Sequence, residues 1–416
     1  MSIWTIEGGR PLRGSLGVQG SKNAVLPVLA ASVLVRGVSI IENCPALSDV
    51  DASIAILREL GCSVVREGGT LTVDSRHLSG SGISREHMEA MRSSVLFMGA
   101  LLARRGEVEA FLPGGCELGA RPVDYHLAAF SSLGAEISQE DERISCRAPA
   151  LQGAKIRFPG KSVGATENAL LCACGARGET VLHNAAAEPE ITALCDFLRS
   201  AGARIVGDGT DTIRVLGFES EGCVHFTVPG DRIAAASYLC FAAATKGHIR
   251  LSDCRYAEML PLLQKLKALG ADLRVGEEGV ELDATAGLRG DITVCTEPYP
   301  GFPTDAAPLL LAACCTNRGQ SFFKETIFSD RLRYVPSLMR MGADIELQRS
   351  SALVRGVERL RGAELEGTDL RGSAALLCAA LSAEGKCVLR DPGHLERGYE
   401  RLEENLLSLG AQIKKE

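Results

Sequence analysis

Six times along this chain of 416 residues a helix-compatible run ends in a small or apolar residue, a glycine and a short step into a strand. The copies are Leu60-Gly61-Cys62-Ser63-Val64, Leu133-Gly134-Ala135-Glu136-Ile137, Ala201-Gly202-Ala203-Arg204-Ile205, Leu269-Gly270-Ala271-Asp272-Leu273, Met341-Gly342-Ala343-Asp344-Ile345 and Leu409-Gly410-Ala411-Gln412-Ile413. Their glycines stand 73, 68, 68, 72 and 68 residues apart. Each is a candidate for the left-handed residue that follows a helix. A second ladder keeps step with the first. Alanine-rich runs end at Gly37, Gly106, Gly178, Gly247, Gly319 and Gly385, each 23 to 28 residues before a glycine of the first ladder. A fixed period of this length is the mark of a repeated structural unit.

Each unit therefore reads as apolar helix, strand, turn, amphipathic helix and one or two further strands. The first helix is apolar nearly all round, as in Ala169–Ala176, Ala234–Ala244, Ala306–Cys315 and Ala374–Leu381, which predicts burial on every side. The second carries one stripe, as in Ile54, Leu57 and Leu60. The fold class is α/β, with buried helices surrounded by sheets and outer helices. Six units divide as three plus three near Val228-Pro-Gly-Asp231. The expected domains are 22–229, and 1–21 plus 230–416, with strand Ile3–Ile6 joining the second.

Composition narrows the function. A net charge of −7 with 46% hydrophobic residues argues against a general nucleic-acid or anionic-membrane binder. No apolar run reaches spanning length, and the N-terminus shows no signal-peptide pattern. The expectation is a cytoplasmic monomer. Fifteen cysteines, with no Cys-x-x-Cys pair, read mostly as buried free thiols, and the histidines are not at metal-ligand spacing. No metal or cofactor is expected.

Cys116 is the exception among the thiols. It lies in Phe111-Leu-Pro-Gly-Gly-Cys-Glu-Leu-Gly-Ala-Arg-Pro-Val-Asp-Tyr-His126, where Gly114, Gly115 and Gly119 allow sharp bends and Arg121 can lower a thiol pKa. The stretch reads as a surface turn or as a reactive loop; its place outside the repeat core favours a catalytic lid. Other candidates sit where buried helices begin. Lys22 and Asn23 follow Gly20-Ser21, at a helix start suited to an anion. Lys161-Ser162-Val163-Gly164 opens the third repeat's helix; before the fifth, Thr304 or Asp305 is a helix cap, or Asp305 a base. Arg331, Asp369, Arg371 and Arg397 are surface ion-pair partners or, if these helix starts converge, a cluster for carboxylate and phosphate.

Five segments together resemble the UDP-N-acetylglucosamine enolpyruvyl transferase (1-carboxyvinyltransferase) family. They are Gly20-Ser-Lys-Asn-Ala-Val-Leu-Pro27, Leu112–Asp124, Ser162-Val-Gly-Ala-Thr166, Gly301-Phe-Pro-Thr-Asp305 and Arg397-Gly-Tyr-Glu400. The resemblance implies a two-domain inside-out α/β barrel of six repeats. It also implies transfer of enolpyruvate from phosphoenolpyruvate to the 3-hydroxyl of UDP-N-acetylglucosamine with release of phosphate, opening peptidoglycan precursor synthesis. By the same resemblance Cys116 is the general acid and the target of fosfomycin, and Asp305 the candidate base. Lys22, Arg121 and Arg397 surround the phosphoenolpyruvate phosphate, with Arg331 near its carboxylate. Asn23 and Ile327 contact the sugar, while Arg92, Arg121, Pro122, Val123, Asp124, Tyr125 and Lys161–Gly164 hold the nucleotide. Asp369 and Arg371 match site residues of the second domain. Three departures from the family pattern are Gln19-Gly-Ser21, Ala306-Ala-Pro-Leu-Leu after Asp305 and Glu396 before Arg397. They keep open a divergent or silent UDP-sugar-binding paralogue; a shikimate 3-phosphate enolpyruvyl transferase is the other alternative.

Overall fold

The computed structural model describes residues 2–114, 123–277 and 279–416. Cys116, Arg121 and Pro122, and with them the core of the expected lid, lie outside the described residues. The described chain forms two compact units, one from 20–229 and the other from 2–19 with 230–416.

In the first unit the apolar helices are Lys22–Ala31, Leu96–Arg105 and Val163–Ala173. In the second they are Arg232–Ala244, Ala307–Cys314 and Leu370–Ser382, each packed on the other two. Every residue of Arg232–Ala244 is buried, as an apolar run without a polar stripe requires. The amphipathic partners are Ser48–Glu59, Asp124–Ser132, Pro189–Ser200, Leu260–Ala268, Val335–Arg340 and Leu402–Ser408. Around them stand six separate sheets among the described residues, five of four strands and one of three. In each unit a strand from outside the local repeat completes the cycle: Ser220–Thr227 lies parallel to Val35–Glu42, and Arg13–Gly17 lies parallel to His248–Ser252. Strand Ser2–Glu7 lies between Lys386–Asp391 and Gln412–Lys415, antiparallel to both.

All six glycines of the first ladder are left-handed, with φ between +85° and +103°. The second ladder is mixed, which corrects the reading of it as a uniform set of helix ends. Gly106, Gly178 and Gly385 are left-handed. Gly37 instead lies inside strand Val35–Glu42, opposite Gly222, where a Cβ would stand 1.7 Å from the Gly222 carbonyl oxygen. Its glycine serves close backbone approach, not chain reversal.

Among the described residues no helix is long and apolar enough to cross a membrane, and no cluster of His, Cys, Asp or Glu is arranged to hold a metal ion. Of the fourteen described cysteines, all free, twelve are buried; Cys295 is half-buried and Cys223 exposed. Burial pushes the Cys62, Cys146 and Cys254 thiols up to about 11, which makes them poor nucleophiles.

Candidate active site

Four of the six apolar helices begin at a side-chain cap. Ser21, Ser162, Asp231 and Asp369 each accept a backbone N–H from the first turn they precede. Ser21 leaves the following residue, Lys22, only 8% exposed, with Nζ 2.8 Å from Asp49 Oδ2. Asn23 is half-buried in the same turn.

The segments expected to hold a nucleotide come together within 20–229. Val123 is buried and precedes helix Asp124–Ser132, in which Asp124 is exposed and Tyr125 half-buried. The Tyr125 hydroxyl lies against Gly160, where an added Cβ would stand 3.4 Å away. Lys161 follows, donating through Nζ to the Ala185 carbonyl at 3.2 Å. Val163 and Gly164 form the first turn above Ser162, and Gly164 faces the imidazole of His126.

His126 is buried, and its orientation is set by Asn168. Asn168 Oδ1 accepts the Gly99 N–H at 2.9 Å, and its amide donates to the Val95 carbonyl at 2.8 Å. The second amide proton is left for His126 Nδ1, 2.9 Å away, which places the imidazole proton on Nε2. Burial, then the positive charge of Arg92, pulls the His126 pKa down to about 4, so the ring is neutral. Arg92 itself opens the 3-10 turn Arg92–Val95 and is half-buried.

A charged network occupies the other unit. Asp305 does not cap its helix: the capping position belongs to Ala306, and no side chain bonds the first turn. Pro308 in that turn has no N–H to satisfy. The Asp305 carboxylate turns instead to two arginines, with Oδ1 2.7 Å from Arg331 Nη2 and Oδ2 3.2 Å from Arg371 Nη2. Arg331 also pairs with Asp369 at 3.6 Å and stacks over Phe328 at 4.9 Å from the ring centroid. Arg371 reaches the Tyr399 hydroxyl at 3.4 Å, and that hydroxyl meets Ser237 Oγ at 2.7 Å. Burial alone works against the Arg371 charge, but Asp305, then Tyr399 and Asp231, hold its pKa above the usual arginine range.

The structure thus brings Asp305, Arg331, Asp369 and Arg371 into one network, with exposed Ile327 on the same loop as Arg331. Arg397 lies in the 3-10 turn Leu395–Arg397 and is half-buried. Sequence reasoning assigned no role to Asp49, Asn168, Glu325 or Tyr399, and to Thr304 only that of a helix cap, a position Ala306 occupies instead. Asp49 carried only the weak signal of an acid in the first turn of an amphipathic helix, and Glu325, just past a strand end, carried none.

Comparison with known proteins gives the family. A family model described as EPSP synthase (3-phosphoshikimate 1-carboxyvinyltransferase) matches residues 6–406. The chain is 43% identical over 413 residues to UDP-N-acetylglucosamine 1-carboxyvinyltransferase 2 of Caldanaerobacter subterraneus subsp. tengcongensis, covering 99% of both chains. It is 45% identical over 422 residues to the UDP-N-acetylglucosamine 1-carboxyvinyltransferase of Zymomonas mobilis subsp. mobilis, covering 99% of this chain and 98% of that one. The chain belongs to the UDP-N-acetylglucosamine 1-carboxyvinyltransferase family. Two solved structures share its fold. The enolpyruvyl transferase NikO from Streptomyces tendae superposes with a TM-score of 0.89 at 24% identity, covering 100% of this chain and 98% of that one. EPSP synthase from Acinetobacter baumannii gives 0.76 at 21% identity, with both chains fully covered. The six-repeat α/β fold and the family resemblance read from the sequence both stand.

Proposed function

We propose that the protein transfers the enolpyruvyl group of phosphoenolpyruvate to the 3-hydroxyl of UDP-N-acetylglucosamine and releases phosphate, opening peptidoglycan precursor synthesis. Likeness over the whole chain to relatives of that name carries this reading.

The chemistry needs two proton movements. As the sugar hydroxyl adds to C2 of phosphoenolpyruvate it loses its proton, and the C3 methylene gains one. In the second step C3 gives a proton back, the C–O bond to phosphate breaks and the vinyl ether forms. In this proposal Cys116 delivers the C3 proton and Asp305 accepts the hydroxyl proton. Arg331 and Arg371 each donate to one Asp305 oxygen, and these two guanidinium bonds fix the orientation in which the carboxylate meets that hydroxyl. Lys22, Arg121 and Arg397 receive the phosphate, and Arg331 the carboxylate. Asn23 and Ile327 meet the sugar. Arg92, Val123, Asp124, Tyr125 and Lys161–Gly164, with Pro122, hold the nucleotide. The neutral Nε2–H of His126 beside Gly164 supports this: it offers a donor without repelling the arginine next to it.

The test is phosphate release by the purified protein from phosphoenolpyruvate with UDP-N-acetylglucosamine or with shikimate 3-phosphate. Release with the first acceptor alone is expected. Release with the second alone moves the chain to the shikimate reaction, and release with neither leaves a silent sugar-nucleotide binder. Cys116→Ser is expected to lower turnover by roughly 10²–10⁴-fold and to block alkylation by fosfomycin. A serine variant that stays active and alkylated transfers the role to another thiol.

A further inference from the structure

We propose that Glu325 and Thr304 are positioning residues that set the orientation of Arg331, and through it that of Asp305, by a directed chain of hydrogen bonds. The chain begins at Arg331, which is 2% exposed. Its Nε–H donates to Thr304 Oγ1 at 3.2 Å, and the Thr304 hydroxyl donates to Glu325 Oε2 at 2.9 Å. A hydroxyl has one proton, and a guanidinium can only donate. The direction of the relay is therefore fixed: guanidinium to hydroxyl to carboxyl.

Glu325 is 7% exposed and fastens three pieces of chain at once. Its Oε1 accepts the Thr296 hydroxyl at 3.0 Å, the Ile327 N–H at 2.7 Å and the Phe328 N–H at 3.1 Å. The Phe328 ring covers one face of the Arg331 guanidinium, while Thr304 holds its edge. One carboxyl group thus governs both the plane and the in-plane rotation of Arg331. The other guanidinium nitrogens are left for Asp305 at 2.7 Å and Asp369 at 3.6 Å. Neither Thr304 nor Glu325 is required to touch substrate. This inference rests on the proposed roles of Arg331 and Asp305, so its test carries a readout that does not depend on turnover.

Four single variants and one double variant decide it: Thr304→Val, Thr304→Ser, Glu325→Gln, Thr304→Val with Glu325→Gln and, as a control in the same buried region, Tyr334→Phe. The Tyr334 hydroxyl is buried without a hydrogen-bond partner among the described residues, so its loss is expected to leave kinetics unchanged. Thr304→Val is expected to lower kcat/KM by about 100-fold, the cost of a displacement near 1 Å. The loss should include a raised KM for phosphoenolpyruvate while the KM for the sugar nucleotide stays put. Thr304→Ser keeps the hydroxyl and should recover most of that loss. Glu325→Gln presents an amide donor where only an acceptor fits, and the double variant with Thr304→Val should cost less than the two single losses combined. Equal activity of Thr304→Val and wild type, an equal deficit in Thr304→Ser, or additive losses would overturn the relay. Crystal structures of wild type and Thr304→Val test it independently: an Arg331–Asp305 contact unchanged at 2.7 Å refutes the inference even if the wild type catalyses another reaction.

Discussion

Two buried networks, one in each unit, solve the same burial problem in opposite ways. In 230–416, Arg331 bridges two carboxylates and Asp305 bridges two arginines, so four charged groups compensate one another. In 20–229 the corresponding feature is uncharged: His126 is held neutral and Asn168 saturates the backbone around it. The contrast teaches what each network can lose. Removing a member of the charged set strands its partner in a site with little water, whereas removing a member of the neutral set forfeits hydrogen bonds and no more.

The largest expected effect is therefore Arg331→Met, which leaves Asp305 and Asp369 without a shared cation. A loss of about 3–5 kcal/mol in unfolding free energy is expected, read from denaturant unfolding. Asn168→Leu, close in volume, removes the side-chain bonds to the Gly99 N–H, the Val95 carbonyl and His126 Nδ1 and should cost about 1–3 kcal/mol. If it matches Arg331→Met, charge is not the source of the contrast.

The pH response sharpens the comparison further. His126 titrates near 6.5 when unfolded and at about 4 when folded. The unfolded chain thus binds the extra proton between those values, and stability falls as pH drops from 6.5 towards 4, by up to about 3 kcal/mol. Glu167 acts with the opposite sign. Burial, then Glu190 and Glu188, raises its pKa well above the usual range, so its contribution declines as pH rises above the unfolded value. His126→Leu should flatten the acid limb and Glu167→Gln the other; an unchanged acid limb would mean that the ring protonates in the fold as readily as in the unfolded chain. The smallest effects belong to the exposed pairs Arg214–Glu179 and Arg390–Glu364, one in each unit. Breaking either with alanine should shift stability by less than about 1 kcal/mol, which would tie the contrast to burial and not to the unit.

Much of the fold was legible because helix ends are written locally. A glycine after an apolar stripe has few conformations that stop a helix, and all six of the first ladder adopted the expected one. Gly37 was misread because its constraint comes from Gly222, which lies far along the chain and meets it only across a parallel strand pair. Asp305 illustrates the same limit at the site. Asp231 and Asp369 stand at equivalent helix starts and cap them, so a cap was the natural reading there too. What diverts Asp305 is the presence of Arg331 and Arg371, which no local pattern reports. Glu325 was invisible for a related reason: its importance lies in how many partners meet it, and only Ile327 and Phe328 are neighbours in sequence.

The placement of strand Ser2–Glu7 between Lys386–Asp391 and Gln412–Lys415 bears on the order in which the molecule is made. A ribosome releases Ser2–Glu7 long before the two strands that flank it. At 5–20 residues per second the wait is roughly 20–80 s. Throughout that interval the first strand lacks both partners, while 20–229 has all its own strands once Ser220–Thr227 is made, little more than halfway through. Synthesis therefore completes one unit early and holds the other open until Gln412–Lys415 has been made.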